Sequence, residues 1–236
     1  MSDWQPTGAG VAQALLDRLS GVSGMAPGRR RLVVLVGQLG DFDSLEYAQA
    51  LAAVLPRLET AGIGLLVIGI GHEAGAERFC AYTGLPRTHL QVDREPLLHR
   101  QLGLYAGLQS PAGPWPALLL MCAGIGSPGT LAEVLRGYSG DRQAPQRLDL
   151  PLFNLVGRGY LRPFELATVR LRNMVEVLGH WRTYVPSDAH LTQRGGTVLL
   201  EADNSVLYSH RDAGILGFSA TMAQPLSFLD PYLPLP

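Results

Sequence analysis

The sequence predicts an α/β fold in which a parallel β-α-β unit is separated from a late hairpin by a long helical stretch. Three observations carry this. Leu32 to Val36 and Gly64 to Ile70 are continuous apolar runs rich in branched residues, as strands covered on both faces are. The segments that follow them carry apolar residues at helical spacing. Two further β runs, Gly196 to Leu200 and Ser205 to His210, are separated by Glu-Ala-Asp-Asn, a hairpin signal.

Taken in order, residues 1–28 read as an N-terminal helix (Val11 to Leu19) and a Gly/Ser/Pro linker, leaving 29–236 as the main domain. Arg29, Arg30 and Arg31 lead into the first strand. Asp43 or Ser44 can cap the helix after it, with Glu46 a favourable first-turn charge. That helix has Leu45, Ala48, Ala52 and Leu55 on one stripe, and Pro56 leaves its end open. The second strand returns through a helix from Ala74 to Thr83. Strand and helix alternating at these spacings implies right-handed crossovers and a parallel sheet. Leu90 to Asp93 is a brief third strand, followed by a helix from Glu95 to Leu102. Residues 106–190 leave the pattern, with helices expected around Leu118–Tyr138 and Phe164–His180. A last helix is expected from Ala220 to Phe228, interrupted by Pro225.

A chain of 236 residues, 47% hydrophobic, can bury a substantial core. Its net charge of −1 removes the electrostatic case for nucleic acid or an anionic membrane as partner. Every one of the 19 basic residues is arginine, which compositional bias explains as readily as a preference for guanidinium chemistry. Two cysteines exclude a disulfide framework. Met1 to Gly8 lacks the basic and apolar regions of a signal peptide, and no apolar run reaches the ~18 residues of a membrane span. A cytoplasmic protein is expected. The six histidines are scattered without metal-ligand spacing beside a carboxylate, so neither a metal nor a cofactor is expected. Gly124 to Thr130 lacks the Gly-Lys-Ser/Thr ending of a phosphate loop, and Pro128 at a helix start accounts for it.

The stretch from Leu32 to Tyr47 joins a buried strand, a Gly-containing turn and a helix N-terminus. With Phe79 to Pro86, Leu90 to Tyr105, Gln193 to Leu200 and Val206 to Asp212, it resembles the peroxiredoxin-like (AhpC/TSA) family. The long middle segment is similar to the variant found in cyanobacterial and plastid relatives. The resemblance implies a thioredoxin-like fold with a large, mainly helical insertion over 106–190. It also implies antioxidant redox chemistry at a C-x-x-C turn, where the helix N-terminus lowers a thiol's pKa. Counting back from Glu46 and Tyr47, those two positions are Asp41 and Ser44. The turn holds no cysteine, so the family's thiol peroxidase chemistry is not implied for this chain. Arg194, ahead of Gly195 and Gly196, stands about one residue from the usual spacing of the family's peroxide-binding arginine. His210-Arg-Asp212 resembles the family's end-of-strand motif, with a structural role.

Asp41, Asp43 and Ser44 therefore carry two readings. They form a remodelled polar binding site, or they cap a helix after a turn made by Gly40. Ser44 has no recognisable histidine base to make it a nucleophile. The catalytic candidates are Cys80, Cys122 and Arg194, although a free cysteine is by default a small buried hydrophobe. Cys80 is the better thiol of the two, because Glu77 and Arg78 point to a helix face near solvent. The insertion offers a surface for a protein partner. It combines the apolar Leu118 to Cys122 with Arg158, Arg162, Arg170 and Arg172 and with Phe153, Tyr160, Phe164 and Trp181. Among these, Arg162, Phe164 and Arg170 are the binding candidates; the same helices could equally pack on the sheet. The expected function is that of a redox-family protein acting by binding, regulation or assembly. The alternative is an oxidoreductase using Cys80 or Cys122.

Overall fold

The structure, a computed structural model, describes residues 9–139 and 162–234. Helix α1 (Ala9–Leu19) precedes β1 (Arg31–Gln38), α2 (Phe42–Thr60), β2 (Gly64–Ile70), α3 (Glu73–Thr83), β3 (Leu90–Asp93) and the short α4 (Leu97–Gln101). Then come α5 (Pro114–Cys122), α6 (Thr130–Ser139), α7 (Arg162–Gly179) and α8 (Trp181–Tyr184), before β4 (Gly196–Leu200) and β5 (Val206–Arg211). The strands form one sheet in the order β3-β2-β1-β4-β5. β1 runs parallel to β2 and antiparallel to β4, so it is the seam between the parallel unit and the hairpin.

Every residue of β1, β2 and β4 is buried, which is why their sequences are continuous rather than alternating. Along β1, Leu32, Val34 and Val36 face a core beneath α2, α3, α7 and α8. Val33 and Leu35 face the other layer, where Leu15 and Leu19 of α1 meet Leu98 of α4. Both faces of the sheet are thus covered, and α1 packs as part of the second layer.

One end left open by the sequence is fixed, and two expectations need correction. α2 continues through Pro56 to Thr60; Pro56 is exposed, so water can satisfy the carbonyl that its missing N–H leaves free. The stretch expected to be helical from Leu118 to Tyr138 is two helices. Gly124, Gly126 and Gly129 between them have φ of 88°, 65° and 88°, values that end a right-handed helix. The C-terminal helix is absent from its expected place: a 3₁₀ turn spans Ser227–Tyr232 instead, because Pro225 and Pro231 remove donors a longer helix would need.

Gly40 is required for a reason other than the turn itself. A Cβ there would stand 2.4 Å from Val185 Cγ2 and 3.1 Å from Tyr184 Cβ. The end of the insertion closes directly onto the start of α2, and only a residue without a side chain permits that approach.

Candidate functional site

The end of β1 and the N-terminus of α2 deliver Asp41 and Asp43 to one place, and the approach to β4 delivers Arg194 between them. Asp41 is the N-cap of α2: its backbone is extended (φ −74°, ψ 128°) and its Oδ1 accepts from the Asp43 N–H at 3.3 Å. The cap is therefore Asp41, not Asp43 or Ser44. Asp41 Oδ2 is 2.8 Å from Arg194 Nη1, and Asp43 Oδ2 is 3.9 Å from the same nitrogen. Arg194 is held by donating to the carbonyls of Thr192 and Leu191, each at 3.2 Å. Ser44 is buried beside them in the first turn.

A third carboxylate joins from the hairpin. Asp212 Oδ2 accepts from the Gly195 N–H at 3.1 Å, and Oδ1 lies 3.5 Å from His210 Nε2. One guanidinium thus serves three carboxylates, and Asp43 Oδ1 and Asp212 Oδ1 are buried without a hydrogen bond. Burial, aided by the charge of Asp41 and opposed by Arg194, holds the Asp43 carboxyl well above the usual range. Burial likewise pushes Asp212 up to about 7 against the pull of Arg194. For Arg194 burial acts to lower the pKa, but the Asp41, Asp43 and Asp212 charges outweigh it and the net shift is upward. His210 is lowered by burial, with the Gly217 carbonyl opposing. Asp41 and Arg194 form the ion pair of the site, and burial favours the protonated form of the other two acids.

Cys122, the last residue of α5, lies within electrostatic reach of Asp41, Arg194 and Asp43 and is exposed. Its thiol is raised by burial first and by Asp41 next, while Arg194 pulls it down. Cys80 is only 7% exposed, and burial pushes its thiol up to about 11. The sequence reading had placed Cys80 nearer to solvent because of Arg78. That arginine instead donates to Glu176 of α7 at 2.6 Å, and the thiol turns inward. The exposure of the two cysteines is the reverse of that expected: Cys122 is the exposed one, within electrostatic reach of the cluster.

Arg170 donates to Glu46 of α2 at 3.2 Å and is 20% exposed, so it ties the insertion to the core rather than facing outward. Arg162 and Phe164 belong to the first turn of α7, and their side chains lie outside the described residues, as do Phe153, Arg158 and Tyr160. Trp181 is half-buried with its ring 5.4 Å from that of Trp115. Sequence reasoning assigned Asp212 a merely structural role and missed its place in the cluster. The signal was the hairpin register, since pairing Gly196 with Arg211 sets Asp212 beside Gly195 and Arg194.

Residues 50–214 match the family model described as AhpC/TSA antioxidant enzyme. The chain belongs to the AhpC/TSA family. Its thioredoxin-like sheet, with a helical insertion ahead of the β4–β5 hairpin, is the architecture that family implies. The match begins beyond the α2 turn, so it takes in the insertion, Arg194 and Asp212 but not Asp41 to Ser44. No curated protein and no solved structure matches the chain. Among the described residues, no group of three or more His, Cys, Asp or Glu could hold a metal ion; the cation that the three aspartates surround is Arg194. No helix of the described residues is long and apolar enough to cross a membrane.

Both cysteines are free thiols. Alkylation of the native AhpC/TSA chain should label Cys122 quickly and Cys80 only after denaturation. Peptide mass spectrometry under non-reducing conditions checks this, and a Cys80–Cys122 linked peptide would refute it.

Proposed function

We propose that this AhpC/TSA-family chain acts by binding, in regulation or assembly, and not as a standard thiol peroxidase. The observation that carries this is the 2.8 Å Asp41–Arg194 ion pair. A carboxylate stands at the place corresponding to the family's thiol, and it cannot serve as the thiolate nucleophile. The arginine that would meet a peroxide is committed to that carboxylate and to two backbone carbonyls.

The insertion is the proposed binding surface for a protein partner. Its helices bury Met121, Val169 and Val177 against the body, together with the polar Asn173, Arg170 and Glu176. They turn apolar residues outward, with Leu119 at 68%, Leu135 at 66% and Val175 at 63% exposure. Arg162 and Phe164 flank this face in sequence and remain part of the proposal. In this reading residues 29–236 are one thioredoxin-like domain carrying the 106–190 insertion behind an N-terminal helix and linker, 1–28. A cytoplasmic setting is supported by the unpaired cysteines, and a cyanobacterial or plastid-type origin by the resemblance of the middle segment.

Peroxide consumption with a thiol reductant tests the reading. Wild type, Cys80→Ser and Cys122→Ser should all match the reductant-only rate. Partner capture from the native organism should be lost with Leu135→Glu plus Val175→Glu, exposed changes that leave the thermal midpoint within about 2 °C. Asp41→Asn should spare capture. A second reading, an oxidoreductase using Cys122, is favoured by the closeness of that thiol to Arg194. Turnover above the blank that vanishes in Cys122→Ser would select it and reject the binding role as the main one.

A further inference from the structure

We propose that the outer face of the insertion is a dimerisation surface, on which α6 and α7 of a second copy of this chain dock about a two-fold axis. This rests on the binding role proposed above and names the partner. Ten of the twelve large apolar side chains exposed among the described residues belong to the insertion, so the exposure is concentrated rather than scattered. On α7, Leu171, Met174, Val175 and Leu178 are exposed at the spacing i, i+3, i+4, i+7, which is one stripe of a helix. The opposite side of α7 buries Val169, Asn173 and Val177. A helix that is apolar on both sides is built to be covered on both sides. Leu131 and Leu135 form the matching stripe on α6, which packs beside α7. A Cβ at Gly124 would stand 3.2 Å from Leu131 Cγ, so the turn after α5 adjoins that stripe and brings the exposed Ile125 with it.

Area, charge and rigidity favour a like copy over other occupants. At on the order of 100 Å² apiece, the exposed side chains of the insertion match the about 800 Å² that one partner gives to a standard interface. The charges beside the stripes are already paired within the chain: Glu133 with Arg136 at 2.7 Å, Glu176 with Arg78 at 2.6 Å and Arg170 with Glu46 at 3.2 Å. Arg172 stands about 100° round α7 from Leu171, at the rim. A partner recognised by its charge finds no counterpart in the middle of this face. An apolar stripe set about a two-fold axis is complementary to itself. A lipid surface is disfavoured because the exposed Trp115, the natural interfacial anchor, is committed elsewhere. Its indole N–H donates to Asp188 at 2.9 Å, and its ring packs on Trp181. α7 is also held in place: Asn173 accepts from Gln49 at 2.9 Å and from Tyr82 at 3.0 Å, and Tyr184 donates to Glu176 at 2.8 Å. A helix already fixed gives up little conformational entropy on docking.

Sedimentation equilibrium of the full chain between about 1 and about 100 µM tests this: wild type should reach twice the chain mass, with a Kd of about 10 µM or tighter. Leu171→Glu combined with Leu178→Glu should raise Kd about a hundredfold or more, because docking then buries unpaired carboxylates. Leu97→Glu makes the same change at a leucine 62% exposed on α4, on the other face of the sheet, and should leave Kd within about twofold. Circular dichroism checks the fold. Should the double variant fail to fold, Leu178→Gln serves instead, with an expected rise of about tenfold. A wild type that stays monomeric at about 100 µM overturns the proposal, as does a dimer indifferent to the α7 changes. Flotation of wild type, but not of the double variant, with phosphatidylcholine vesicles would assign the face to lipid and overturn it too. Capture of a different protein by a monomeric wild type, lost with Leu135→Glu plus Val175→Glu, would reject self-association while leaving the binding role standing.

Discussion

Replacing Arg194 by glutamine lowers the stability of this protein by about 3–5 kcal/mol at neutral pH, the cost of removing one partner from a buried ion pair. The arginine is 3% exposed and is the cation for Asp41 at 2.8 Å and Asp43 at 3.9 Å. Glutamine can still donate to one backbone carbonyl but brings no charge, so Asp41 is left as an anion among two other acids. The loss should be smaller at about pH 5, where more of the cluster is protonated. Urea denaturation at both pH values measures it. A loss under about 1 kcal/mol at neutral pH would mean that the cluster is solvated or that its acids are already neutral.

The second large effect is a fall in stability as the pH rises. Asp212 titrates at about 7 in the folded protein against an ordinary value of 3.8. The folded state therefore holds a proton that the unfolded chain gives up earlier. The stabilisation is fully present below about pH 4 and is lost as the pH rises through about 7, a difference on the order of 4 kcal/mol. Asp43, raised in the same direction by burial, adds to the trend. His210 works the other way: burial lowers its pKa, so it costs stability as the pH falls below its ordinary value of 6.5. The difference between wild type and Asp212→Asn isolates the aspartate, since asparagine can keep the bond from the Gly195 N–H while losing the titration. A difference independent of pH between about 4 and about 8 contradicts the assignment.

How much of the site could be read in advance differed from residue to residue. Asp41 and Arg194 were both singled out by the family resemblance, one as the place of a turn thiol and the other as the place of the peroxide-binding arginine. The resemblance puts the two in one groove, but their direct ion pair was not legible, because nothing local relates a turn after β1 to the approach to β4. Cys122 sits in an apolar run that reads as core packing, yet at the end of α5 it is exposed and within electrostatic reach of Asp41, Arg194 and Asp43. Arg170 reads as a recognition arginine from composition, and it is spent on Glu46 inside the fold. Leu216 gave no signal: leucine is the wrong residue for a left-handed position, and only the bond to Asp43, 173 residues away, explains it.

The sequence alone determined the five strands and their order along the chain, the helices that follow the first two, the hairpin and the loss of cysteine from the α2 turn. These are local properties: a strand buried on both faces must be apolar throughout, a helix shows its stripe within two turns, and a missing thiol is missing in any conformation. Only the tertiary structure decided which acids surround Arg194, which cysteine lies beside them and where the insertion returns. Those are contacts between distant segments. They depend on strand register, on the crossover between layers and on the close approach that Gly40 permits, and no short-range pattern encodes them.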